Sequence, residues 1–177
     1  MMKYFFTLLI GFVCLQASAQ QKVYPLIKGF GGVSEIPLAT ELPDAKKDYK
    51  IIVEVNTENP TPAKVHELME KIASIANLHV LGGVQPNRLH LVAVIHGPAA
   101  MYIMNDSVYQ QKYGTNNPNI PLFHVLKEAG VKLLVCGQSM MKRNIDPATL
   151  APDLGIALSA MTTLSTYEQK GYALLKL

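Results

Sequence analysis

Val131-Lys132-Leu133-Leu134-Val135-Cys136-Gly137-Gln138-Ser139 is the stretch on which the fold turns. Residues 131–135 form a short apolar run between Gly130 and a Cys-Gly turn, which reads as a buried strand. The strand delivers a thiol, Cys136, to its carboxyl end. Just before it, Ile120–Ala129 reads as a helix with Leu122, Phe123, Val125 and Leu126 inward and Gly130 as its cap.

The same alternation extends in both directions. Ile51-Ile52-Val53-Glu54-Val55 is a β-branched run long enough for a strand and too short for a helix. After the loop Asn56–Pro60, Thr61 is expected as an N-cap with Pro62 at the first helical position. The helix would bury Val65, Leu68, Met69, Ile72, Ile75 and Ala76 and end at Gly82-Gly83. Leu89–Ile95 is a second strand, stopping at His96-Gly97-Pro98. Between it and Ile120 lies a polar stretch with a short helix expected near Asp106–Lys112.

Downstream, Met140–Arg143 is expected to open a short helix and Asp146-Pro147 a turn. Gly155–Leu158 is a candidate fourth strand, Ala160–Lys170 a helix closed by Gly171, and Tyr172–Leu177 a last strand. Near-continuous apolar strands alternating with helices point to a single α/β domain. The expected architecture is a five-stranded, mainly parallel sheet with helices on both faces.

Residues 20–48 show no sustained period and contain Pro25, Gly29, Gly31, Gly32, Pro37 and Pro43, so they read as an extended N-terminal arm with one short strand near Tyr24–Ile27. Gly29-Phe30-Gly31-Gly32 lacks the preceding strand, following helix and Lys-Ser/Thr of a phosphate-binding loop. The α/β domain runs over 49–177.

Residues 1–19 read as a cleaved signal peptide: Lys3, a short apolar core from Tyr4 to Val13, and an Ala17-Ser18-Ala19 cleavage site. The apolar run falls short of the ~20 residues needed to span a bilayer, so no membrane span is expected after processing. Val13 before Cys14 argues against lipoprotein processing. The expected location is the periplasm or the exterior. Processing would leave 158 of the 177 residues, with 15 basic against 13 acidic side chains once Lys3 is gone. That is about one domain, and no basic stripe supports nucleic-acid binding.

Processing would also remove Cys14 and leave Cys136 as the sole thiol, excluding an intrachain disulfide. There is no C-x-x-C, no G-x-S-x-G, and no ligand-like spacing among His66, His79, His90, His96 and His124, so neither metal nor cofactor is expected.

In a parallel sheet, ligands collect beyond the carboxyl ends of the strands. Those ends carry Asn56, His96-Gly97 and Cys136-Gly137-Gln138-Ser139. A thiol beside a helix N-terminus is activated by the dipole and free N–H groups. Gly137 permits close approach, and Gln138 and Ser139 offer donors. Equally, Cys136 could simply complete an apolar strand, as free cysteines often do. His96 could bond a ligand, deprotonate a thiol, or order the strand-to-loop turn. Asn56 is a loop former or a ligand contact.

The strand ending in His96-Gly97, the segment Val131–Ser139 and the closing Glu168-Gln169-Lys170-Gly171-Tyr172-Ala173 together resemble the DsrE/DsrF-like superfamily, most closely its exported, poorly characterised branch. The resemblance implies a homo-oligomer, trimeric or hexameric. It also implies a sulfur-acceptor role for Cys136, loaded as a persulfide by a sulfane-sulfur donor. The alternative is a non-catalytic oligomeric module that binds a small ligand and uses Cys136 structurally.

Overall fold

The computed structural model describes residues 21–177, so the signal-peptide segment and Cys14 lie outside the described residues. The strands are β1 (Tyr49–Val55), β2 (Leu89–Ile95), β3 (Lys132–Cys136), β4 (Gly155–Ala157) and β5 (Ala173–Leu175). They form one all-parallel, five-stranded sheet in the order β4-β3-β2-β1-β5. The helices are α1 (Glu67–Leu81), α2 (Asp106–Tyr113), α3 (Ile120–Glu128), α4 (Gly137–Lys142) and α5 (Ala160–Gln169). The expected α/β architecture is the one observed.

The strand order explains how both faces are covered. From β1 to β4 the chain steps along the sheet in one direction, then returns past β1 to place β5 at the far edge. Parallel crossovers are right-handed, so reversing the direction of travel puts the crossover helix on the opposite face. Helices α1 and α3 therefore cover one face, over Ile51, Val53, Val55, Leu91, Ala93, Ile95, Leu133 and Val135. On the other face α5 packs over β1 and β2, where Val94, Cys136 and Ala160 form a smaller cluster with Leu164.

Helix α1 starts later than its sequence suggests. Thr61 is not its N-cap; His66 is, accepting the Leu68 N–H at Nδ1 (3.2 Å). Residues 59–64 instead close a separate turn. The Asn59 amide accepts from Thr61 N–H and donates to the Lys64 carbonyl, while Lys64 N–H bonds the Thr61 carbonyl. Tertiary contacts hold that turn: the Tyr102 hydroxyl donates to the Asn59 carbonyl and the Tyr109 hydroxyl to the Pro62 carbonyl. Helix α4 departs the other way, opening at Gly137 directly after the strand rather than at Met140.

His66 is almost fully buried and its Nε2 bonds the Thr57 carbonyl at 2.9 Å. Nε2 must therefore donate while Nδ1 accepts, which requires the neutral ring. Burial pushes this imidazole below its ordinary value, against smaller opposing effects of the Thr57 carbonyl and Glu67. As pH falls through the ordinary histidine range, the unfolded chain binds this proton first. His66 thus contributes stability that is complete above about pH 6.5 and is lost below it, at no more than about 1.4 kcal/mol per pH unit. Urea unfolding across that window should show the decline in the native protein and a flatter profile in His66→Asn, which retains a capping side chain.

The segment before β1 is folded against α1. A single antiparallel bridge, Val23 with Val33, replaces the strand expected near Tyr24–Ile27. Between these bridge residues the chain wraps around Asn77, a fully buried side chain of α1. Its Oδ1 accepts from Leu26 N–H (2.9 Å) and Ile27 N–H (2.7 Å). Its Nδ2 donates to the carbonyls of Ile27 (3.4 Å), Phe30 (3.1 Å) and Gly31 (3.0 Å). Gly31 sits at φ +59 with its Cα against the α1 backbone, where a Cβ would overlap Ala73 and Ser74. Gly31 thus serves close packing on a helix, while a Cβ at Gly32 would meet the Tyr24 ring.

Candidate functional site

Strand register assigns the chemistry-bearing residues to one face. Glu54 pairs with Val94, and Val94 with Leu134, so the three share a side of the sheet. Side chains two residues on return to that side. His96, whose N–H extends the ladder to the Val55 carbonyl, and Cys136 therefore follow Val94 and Leu134 onto the α5 face. At the carboxyl edge they line a cleft of about 300 Å³ together with Glu54, Gln138, Ser139, Lys142 and the start of α5, Ser159–Met161.

Cys136 ends β3 and is the N-cap of α4, with 4% of its surface exposed at the cleft. Burial pushes its thiol up. The hydroxyl of Ser139 and the N–H groups of Ala160, Ser139 and Gln138 outweigh that push, and the thiol is held below its ordinary value. Two separate elements supply these donors: α4, beginning within the same chain turn, and α5, whose N-cap Ser159 accepts from Thr162 N–H at 3.0 Å. A thiolate in such a ring of donors is both stabilised and reactive.

Ser139 joins two strand ends. Its Oγ accepts from the Gly97 N–H at 3.0 Å, and its hydroxyl is the foremost of the influences that lower the Cys136 thiol. Gly97 adopts φ +55, a left-handed conformation that glycine takes without steric cost and that turns its N–H toward α4. Ser139→Ala should therefore slow alkylation of Cys136 by iodoacetamide at neutral pH roughly tenfold, through loss of one charge-assisted hydrogen bond. Stopped-flow or quench measurement across pH checks this; an unchanged rate would remove Ser139 from thiolate stabilisation.

His96 bonds Glu54 Oε1 through Nε2 at 2.8 Å, and Lys176 approaches Glu54 Oε2 at 3.9 Å. The sequence-derived candidates are thus sorted by the fold. Cys136, His96, Gln138 and Ser139 converge on one cleft, and Gly97 joins them through its amide. Gly137 turns its back on the cleft and packs against β4, where a Cβ would come 3.0 Å from the Ala157 carbonyl. Asn56 is exposed; it lies beside Gly97 but does not line the cleft.

Glu54, Lys142, Ser159 and the Ala160 amide belong to the cleft without having been singled out in the sequence. Glu54 carried a signal, as a lone carboxylate in an apolar strand. The Ala160 N–H carried none, since a backbone donor has no letter. Among the described residues no group of three or more His, Cys, Asp or Glu side chains could hold a metal ion, and no helix is long and apolar enough to cross a membrane.

Solved structures share this fold at low identity. A protein of unknown function, MTH1491 from Methanobacterium thermoautotrophicum, superposes with a TM-score of 0.57 at 12% identity, covering 73% of this chain and 100% of that one. The ychN protein from E. coli gives a TM-score of 0.51 at 16% identity, covering 73% of this chain and 99% of its own. No functionally curated protein matches the chain. The DsrE/DsrF-like family model matches residues 50–177, from the second residue of β1 to the end of the chain, and the chain belongs to that family.

Proposed function

We propose that this protein is an exported sulfur carrier that holds sulfane sulfur as a persulfide on Cys136. The observation that carries the reading is the placement of one thiol, at the end of β3 and the start of α4, on the floor of a strand-end cleft that it shares with His96, Ser139 and the start of α5. Membership of a family associated with sulfur relay supports it. The cleft is large enough for a small donor molecule, and Lys142 at its wall favours an anionic one.

The Ala17-Ser18-Ala19 pattern supports export, with action in the periplasm or outside the cell. Self-association fits the surface around the cleft: Met141, Leu158 and Met161 are 76%, 74% and 79% exposed, a concentration of apolar side chains typical of contact surfaces.

Exposure of the purified protein to polysulfide, followed by mass measurement, tests the reading. Added sulfur that maps to Cys136 supports it, and its absence under conditions that load a known persulfide carrier defeats it.

A second reading has its own observation. Cys136 is 4% exposed and packs with Val94 and Ala160, as a structural thiol would. On that reading the domain is a non-catalytic small-ligand module, and the native thiol resists alkylation until the protein unfolds.

A further inference from the structure

Glu54 interrupts the apolar strand Ile51–Val55, and its side chain is only 14% exposed. A carboxylate in that position needs partners to offset its desolvation. It has two, His96 Nε2 at Oε1 and Lys176 Nζ at Oε2. With Nε2–H committed to Glu54, the imidazole's remaining nitrogen, Nδ1, is the one available for proton exchange within the cleft. Among the described residues no hydrogen bond engages Nδ1.

The other charged groups around the ring are few. Lys142 comes from α4 and Lys176 from the end of β5, while α5 contributes only Ser159, Ala160, Met161 and Leu164. Cys136 is served separately, by Ser139 and three backbone amides. The thiolate therefore has its own stabilisers, and the Glu54–His96 pair is free for another task beside it.

We propose that Glu54 is a positioning residue for His96, and that His96 delivers a proton to the thiolate that departs when sulfane sulfur moves onto Cys136. The inference rests on the persulfide-carrier reading. The Cys136 thiolate attacks the outer sulfur of an alkyl persulfide, R–S–SH. A new S–S bond forms at Cys136 as the donor's S–S bond breaks, and R–S⁻ leaves with the bonding pair. It takes the proton from Nδ1, which had been drawn from water; Cys136 had released its own proton to water on ionising. The sum is Cys136–SH plus R–S–SH giving Cys136–S–SH plus R–SH, with no external oxidant or reductant. Glu54 fixes the ring orientation and offsets the transient imidazolium charge.

Two reactions of the same thiol separate this role from a structural one. Transfer from glutathione persulfide expels an alkyl thiolate, which benefits from a proton. Alkylation by iodoacetamide expels iodide, which needs none. In Glu54→Gln and His96→Gln, persulfide transfer should slow about 10- to 100-fold while iodoacetamide labelling stays within about twofold of the native rate. Thermal unfolding confirms that each variant is folded, and either variant alone suffices.

Equal slowing of both reactions, or of neither, overturns the proposal. Failure of the native protein to accept sulfur from glutathione persulfide is a different result: it defeats the carrier reading, and the inference falls with it.

Discussion

Asn77→Ala is expected to free the segment 21–33 from α1 and to lower the unfolding free energy by about 3 kcal/mol. The wild-type amide is fully buried and uses every one of its donors and acceptors on backbone groups of that segment. A hydrogen bond is worth only about 0.5–1.5 kcal/mol net, but a buried backbone group left unpaired costs about 1–3 kcal/mol. Alanine would orphan several such groups at once, and the segment can recover them only by detaching into water. Detachment would also expose Ile27, now 1% accessible. Urea unfolding should show a lower midpoint, and limited proteolysis should cut first between Val23 and Val33. Unchanged unfolding together with unchanged protease resistance would contradict this account of the arm.

That locking residue shows where a sequence stops being readable. Asn77 sits next to the apolar stripe Ile72, Ile75, Ala76 of α1, and nothing local distinguishes it from a polar residue facing solvent. Its partners lie 46 to 51 positions away, in a segment with no period of its own. The central strands β1, β2 and β3 were legible because burial on both faces leaves a near-continuous apolar run that few other structures produce. The start of α1 was not. Thr61-Pro62 has the chemistry of a helix start, but Tyr102 and Tyr109 reach across from later in the chain to hold residues 59–62 as a turn.

The site divides in the same way. Parallel strands must end on one edge, so Cys136, His96 and Ser139 could be placed together from sequence alone. The Glu54–His96 bond joins residues 42 apart, and it required the register of β1 against β2 to become visible. The α5 amide that reaches Cys136 required the return of the chain across the sheet. Glycines were ambiguous for a related reason: Gly97 and Gly137 both flank the cleft, yet one offers its N–H to the site and the other packs against β4.

The second large effect concerns Cys136 itself. Cys136→Ser keeps the size of the side chain and the surrounding donors but replaces the sulfur with a hydroxyl that does not ionise at neutral pH. The fold should survive, because the side chain occupies a small cluster with Val94 and Ala160 apart from the main core. Sulfur loading should be lost entirely, since among the described residues Cys136 is the only free cysteine. This contrast, an all-or-none chemical loss with little structural cost, distinguishes a carrier thiol from a packing thiol.

The most direct test is therefore intact-mass analysis of the native protein and Cys136→Ser side by side after brief exposure to polysulfide and removal of excess reagent. The carrier reading requires a mass increase of one or more sulfur atoms in the native protein, reversed by a thiol reductant and absent from Cys136→Ser. A native protein that stays unmodified while a known persulfide carrier is loaded in the same tube would contradict it, as would equal loading of the serine variant.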